Sequence, residues 1–423
     1  MNDEAMNESP KSSTTAWFVA ALAVLASAGW LGWQWQRRPP DFALARLYVE
    51  GRGWEKAVPM LERIVADDPG NGEAIRLLSF CYRQLDRHQD AARVLASVQG
   101  DEEETAASLF FAGQALLAGD RRRDAEQMWK RVLERESTPG VDGWKQECRR
   151  ELCNLYAIGR RRREFLAVSE DLFENALPRD RYIPLQYRLK SLINVVEPNA
   201  GVRKLEPAVA ADPGDDYSRA GIALYLADLD KFDEALARVK ECRTRAPDEL
   251  FFWEAWCQIL ERRGDMTGIA EAVKQLPPKA EESAIVWQMQ SLAAEQRNDF
   301  VGAVAHLQRA MAVEPRPEYT HRMGQLLVRQ RKTEDGNREL KRATAQTSVL
   351  GELRDFIQRY DADAPEDIRR FADWANDAAN LMDRFDWADE ARRWRQAALA
   401  ADPSHRPSLV ALERDASRRF GRN

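Results

Sequence analysis

Four histidines, His88, His306, His321 and His405, are the chain's only imidazoles, and they are scattered too far apart in sequence to share a metal or a proton locally. A zinc hydrolase places two histidines one helical turn apart around a glutamate, so that both rings meet one ion while the carboxylate activates water. No HExxH occurs here. Five cysteines, Cys81, Cys148, Cys153, Cys242 and Cys257, contain no CxxC pair, and Cys148 and Cys153 splay around a helix rather than face one ion. The odd count suggests no disulfide framework. No GxSxG and no P-loop is present, and Gly51-Arg52-Gly53 is a hairpin turn far from any strand, so a dinucleotide site fails. Among 69 acidic residues a chance carboxylate pair means little. The expectation is no catalytic residue, no metal and no cofactor; an enzyme hidden in Gly351–Phe371 is opposed by the lack of His, Cys and Ser to build a site there.

The elements that position side chains follow a period. Pro213, Pro247 and Pro315 lie 34 and then 68 residues apart, and twelve residues before each sits Gly201, Ala235 or Ala303. Ala57–Pro69 and Ala391–Pro403 repeat the step. Nine residues before Ala57, Ala91 and Phe165 stand Tyr48, Tyr82 and Tyr156, and thirteen before stand Leu44, Leu78 and Leu152. A fixed period of this length implies stacked helical hairpins rather than one globular core. The small residue lets two helices approach, the large ones fill the space between hairpins, and the Pro stops the second helix.

This pattern resembles the tetratricopeptide repeat (TPR) over nearly all of the chain after residue 38. Units start near Arg38, Gly72, Ala106, Gln146, Tyr182, Asp216, Leu250, Ala284, Pro317 and Ala372. Trp253 and Trp287 are 34 apart where the family favours Trp. Glu103 and Ser137 stand where Pro is expected, and six extra residues, Gly140–Lys145, precede the fourth unit. The resemblance implies an all-α fold, an α-solenoid of stacked antiparallel hairpins forming a TPR superhelix. We divide the chain into a polar tail (1–15), a transmembrane helix (16–35), N-terminal units (38–179), central units (182–350), an irregular helical insertion (351–371), and a last unit with a capping helix (372–423). Cys153, Cys242 and Cys257 fall at small-residue positions, where a thiol packs as a small hydrophobe. Charged residues at 31% and hydrophobic ones at 44% suit many amphipathic helices sharing a thin core.

Ala16–Trp33 is an uncharged run, AWFVAALAVLASAGWLGW, long enough as a helix to span a hydrocarbon core of about 30 Å. Trp17 at one end and Trp30, Trp33 and Trp35 at the other form an aromatic belt. Ala26-Ser27-Ala28 offers the rival reading of a cleaved signal peptide. Against it, the apolar run continues past Ala28 and the leading tail is acidic. Arg37, Arg38, Arg46 and Arg52 follow the span, whereas Lys11 alone precedes it, which places the repeats in the cytoplasm. Export by an uncleaved anchor, with the repeats serving as an envelope-biogenesis adaptor or chaperone-like factor, is the alternative.

The resemblance further implies a binding groove lined by the first helix of each unit. Carried over position by position, it offers Phe42, Arg46, Arg76, Phe80, Arg83, Phe110, Gln114, Arg150 and Asn154, a set of cations, aromatics and amides. Glu254, Gln258, Glu261, Gln288 and Glu295 make the groove acidic further along. Arg150 and Asn154 resemble half of the carboxylate clamp by which some TPR proteins hold a peptide C-terminus. Arg87, Arg121-Arg122-Arg123 and Arg160-Arg161-Arg162-Arg163 occupy equivalent hairpin turns, and stacking would align them into a basic ridge. The partner expected is a protein, through an acidic or C-terminal segment. A net charge of −6 argues against a dedicated nucleic-acid binder. The sequence fixes no oligomeric state.

Overall fold

The computed structural model describes residues 42–175, 196–277, 279–362 and 368–420. The run Ala16–Trp33 and the first helix expected after Tyr182 lie outside these residues. No described helix is long and apolar enough to cross a membrane. The described chain is all-α, with no strand. It divides into two compact units, Met1–Gly100 and Asp101–Asn423. The first holds α1 (Phe42–Glu50), α2 (Trp54–Asp67), α3 (Gly72–Gln84) and α4 (His88–Ala96). The second opens with α5 (Glu102–Ala118), α6 (Arg122–Leu133), α7 (Pro139–Ile158), α8 (Arg162–Asn175) and α9 (Pro198–Ala211). It continues with α10 (Asp216–Asp228), α11 (Phe232–Arg245), α12 (Leu250–Arg263), α13 (Met266–Val273), α14 (Ala284–Gln296) and α15 (Phe300–Val313). It closes with α16 (Pro317–Arg329), α17 (Thr333–Ala362), α18 (Ile368–Arg384), α19 (Ala388–Ala401) and α20 (Arg406–Phe420).

Two kinds of turn punctuate the helices, and both are written in the sequence. Inside a hairpin, one residue adopts a left-handed conformation: Arg52, Asp86, Asp120, Arg160, Asp230, Asn298, Arg331 and Asp386, with Gly264 as the glycine version. The next amide reaches back to a carbonyl of the first helix, as in Arg87 N–H to Tyr82 O at 2.8 Å and Lys231 N–H to Leu226 O at 2.9 Å. That bond satisfies a carbonyl the helix end would leave bare. Between hairpins, helices α2, α9, α11, α15 and α19 each stop two residues before Pro69, Pro213, Pro247, Pro315 and Pro403. Asp68 and Asp212 turn their carboxylates onto the amides of Gly70 and Gly214 at 3.2 and 3.0 Å. The following helices start on side-chain caps, Asn71 to the Ala74 amide at 3.0 Å and Asp215 to the Ser218 amide at 3.0 Å.

The small-residue positions are the points of closest packing. Ala57, Ala91, Ala235, Ala303 and Ala391 are all fully buried. A Cβ added to Gly201 would sit 2.4 Å from the ring of Tyr225, so only glycine permits α9 to lie on that tyrosine. Tyr82 and Tyr156, and Leu78 and Leu152, are buried as the pattern requires, as are all five cysteines. Leu44 departs from it: the side chain is 40% exposed, on the outer side of the first described helix. The stretch expected to be irregular around Gly351 is the second half of the 30-residue helix α17.

In the second unit the packing reaches beyond neighbouring hairpins. Phe173 of α8 shares a core cluster with Val349, Leu353, Phe385 and Trp394, contributed from α17 onward. Arg393 of α19 pairs with Glu170 of α8. A chain in which each hairpin touched only its neighbours would place these residues far apart.

Candidate functional site

In the first unit, Arg76, Phe80 and Arg83 lie on one exposed face of α3, at the one-turn spacings of a helix. Phe80 is 40% exposed, so its ring is available to a ligand. Arg46 on α1 reaches Glu73 of α3 at 3.4 Å and Glu50 at 3.5 Å, both exposed pairs. Such pairs contribute about 0–1 kcal/mol and are screened by salt, so they leave the guanidinium available.

In the second unit, Gln114 is half-buried, Asn154 exposed, and Arg150 half-buried with its guanidinium 2.8 Å from Glu147. Arg150 thus has a partner on its own helix, which weakens the clamp resemblance. Phe110, expected on the surface, is buried at 8% exposure. Its ring meets Phe111 at 5.4 Å and Trp144 at 5.4 Å, and Phe111 meets Trp144 at 5.5 Å. Trp144 belongs to the six-residue insertion, which lengthens α7 at its start and lays an indole over α5. Phe111, 42% exposed, takes the outward place expected for Phe110. The insertion was visible in the sequence, and its tryptophan was the signal for this aromatic group.

The expectation of one exposed basic ridge is corrected. A Cβ on Gly221 of α10 would sit 2.9 Å from the Gly159 carbonyl, and Tyr225 Oη donates to Ile158 O at 3.0 Å. The α7–α8 turn is therefore pressed against α10, and its arginines point at carboxylates. Arg160 pairs with Asp228 and lies over Tyr225 at 5.1 Å. Arg161, 3% exposed, donates to both oxygens of Glu126 at 2.6 and 3.2 Å and to Glu164 at 2.9 Å. It also stacks over Tyr217 at 3.8 Å. Tyr156 Oη completes the group on Glu126 at 3.0 Å. Burial works against the Glu126 charge, but Arg161 and Lys130 hold its carboxyl below the usual range. Arg162 pairs with Glu314 at 2.6 Å and Arg163 with Glu282 at 3.2 Å. Of Arg121, Arg122 and Arg123, the first pairs with Asp124 at 2.5 Å, the second is half-buried near Asp215, and Arg123 alone is exposed. A shallow cleft lies among Arg122, Arg123, Glu126, Arg161, Asp215 and Tyr217.

The acidic positions of the central hairpins are covered as well. Glu254 and Gln288 are each 8% exposed. Burial pushes the Glu254 carboxyl up to about 7, opposed by a hydrogen bond from Ser283 and the nearby charge of Arg163. Glu295 is held by Arg322 at 2.8 Å and Arg329 at 2.5 Å.

One constellation has the residue types of a hydrolytic triad. His405 Nδ1 lies 2.9 Å from Ser408 Oγ and Nε2 lies 3.1 Å from Asp373 Oδ1. Ser408 is fully buried and its Oγ also donates to Asn376 at 3.3 Å. A nucleophile needs access to substrate, which this serine lacks, so the group ties the start of α20 to α18. The thiols are equally unsuited: burial pushes Cys148, Cys242 and Cys257 up to about 12. No group of three His, Cys, Asp or Glu able to hold a metal occurs among the described residues.

The family model described as tetratricopeptide repeat matches residues 54–108. The TPR resemblance is thereby borne out over those residues, while the match says nothing of a membrane span. No curated protein matches in sequence. Similar solved structures include MamA from Desulfovibrio magneticus, at 14% identity over 40% of this chain and 94% of that one, with a TM-score of 0.30. A thermophilic TPR protein of Thermus thermophilus is 17% identical over 43% of this chain and 97% of that one, with a TM-score of 0.33. The APC/C hetero-tetramer Cut9–Hcn1 is 15% identical over 88% of each chain, with a TM-score of 0.34.

Proposed function

We propose that this tetratricopeptide-repeat chain is a membrane-tethered scaffold that holds a protein segment rich in carboxylates. The observation that carries the reading is the face of α3: an exposed Phe80 flanked by Arg76 and Arg83, with Arg46 nearby on α1. An aromatic ring among guanidinium groups offers apolar contact and charge-assisted hydrogen bonds to one ligand, the combination found at binding hot spots. In the second unit Gln114, Arg150 and Asn154, with Phe111 and Trp144, offer a more polar surface to the same kind of chain.

The tether is the uncharged run Ala16–Trp33, with the repeats on the cytoplasmic side by the arginine excess that follows it. A scaffold of this kind needs no chemistry of its own. Capture from a detergent extract tests the binding: Arg76→Glu with Arg83→Glu loses the partners that the wild type holds, at unchanged helix content. Carbonate washing tests the tether, which fails if the chain is released or if its mature N-terminus is Gly29. Protease access from the outer face would favour the envelope-adaptor orientation.

A further inference from the structure

We propose that Arg162 and Arg163, at the end of the Arg160–Arg163 turn, act as an internal ligand for the carboxylates of the central hairpins, and that a basic segment of a partner protein takes these carboxylates when the two side chains let go. Four consecutive arginines in a solvated turn would repel one another. Here each meets a carboxylate on a different element. Asp228 ends α10, Glu126 lies on α6, Glu282 precedes α14 and Glu314 precedes α16. The turn and its acceptors therefore form one complementary surface within the second unit, built from segments up to 152 residues apart.

The four contacts are not equal. Arg161 is locked, with 4% of its side chain exposed and two bonds to a buried Glu126. Arg162 and Arg163 keep 28% and 35% exposure. Pairs nearer the solvent are weakened by salt more than buried ones. The outer two can let go while Arg161 keeps the α7–α8 hairpin folded. Their release takes the Arg163 pair from Glu282 and the Arg162 pair from Glu314, which Arg316 also holds. A guanidinium-bearing segment fits these carboxylates because the chain's own guanidinium groups already fit them. This surface is separate from the α3 face assigned above and takes a partner of opposite charge.

The test uses the full chain, a synthetic tetra-arginine peptide and a tetra-glutamate control. Removing the clasp with Arg162→Ala and Arg163→Ala should raise affinity for tetra-arginine at least ten-fold over the wild type. Adding Glu282→Gln and Glu314→Gln should abolish that gain. Equal affinity of wild type and clasp variant, or a gain that survives the two Gln substitutions, overturns the proposal. A readout on the wild type alone guards against a misfolded variant: saturating tetra-arginine should shift the guanidinium Nε resonances of Arg162 and Arg163, and unchanged resonances overturn the proposal. Loss of acidic-partner capture in the Arg76→Glu, Arg83→Glu variant bears only on the α3 face and leaves these readouts unaltered.

Discussion

Arg162, in the first turn of α8, donates from Nε to Glu314 at 2.6 Å, and Glu314 also accepts from Arg316 at 2.8 Å. This contact joins residues four hairpins apart in the repeat count. Together with Phe173 and Glu170 at the other end of α8, it makes that helix a common support for the central and C-terminal hairpins. Stability in the second unit should then spread further than the nearest-neighbour coupling of an open repeat array.

Phe173→Ala tests that coupling. Truncating a buried phenylalanine typically costs about 3–5 kcal/mol. Because Phe173 shares its cluster with Phe385 and Trp394, amide protection should fall in α18 and α19 as well as in α7 and α8. Loss confined to residues 139–175 would show that the hairpins act only on their neighbours.

Ala303→Arg probes the small-residue position directly. Ala303 is fully buried, and its carbonyl accepts from Ser291 Oγ at 2.8 Å. A long charged side chain there combines overpacking with burial of a cation, a loss of several kcal/mol. Thermal unfolding should shift down by many degrees; an unchanged melt would mean that the helices are not in contact at this point.

The left-handed turn residues predict a gain. Asp230 holds φ at 59°, which an L side chain adopts only with strain. Asp230→Gly relieves it and should raise stability by up to about 1 kcal/mol, while Asp230→Val should lower it by more than that. The opposite order in urea unfolding would contradict the turn geometry.

Glu254 gives a pH dependence with a definite sign. Its folded carboxyl titrates near 7, above the ordinary 4.5, because burial disfavours the charged form; Ser283, Arg163 and Arg316 pull it down and Glu164 pushes it up. A raised folded value means the native state holds the proton more tightly than the unfolded chain. Its contribution is therefore full below pH 4.5 and is lost as pH rises to 7, by a few kcal/mol at most. Glu254→Gln should flatten that decline, so the variant gains on the wild type between about pH 5 and pH 8. Parallel stability curves would remove the assignment.

Much of this was legible in the residues themselves. The Ala-to-Pro step and the buried tyrosines mark several hairpins because close packing and helix termination are local demands on residue type. Phe110 and the Arg160–Arg163 turn were misplaced for a related reason. A repeat specifies where a residue sits in its own hairpin, not what a distant hairpin or an insertion lays over it. Trp144 covers Phe110, and Glu314 receives Arg162, through contacts that no single period encodes.

The central claim is that the exposed arginines hold an acidic segment. The most direct measurement is capture of partners from a detergent extract by the wild type and by the Arg76→Glu, Arg83→Glu variant, at low and raised salt. The account predicts that partners leave the wild type as salt rises, since exposed charges are screened beyond about 10 Å at 0.1 M. It predicts that the variant holds none of them at any salt, with its helical content intact. Retention of every wild-type partner by the folded variant would contradict it.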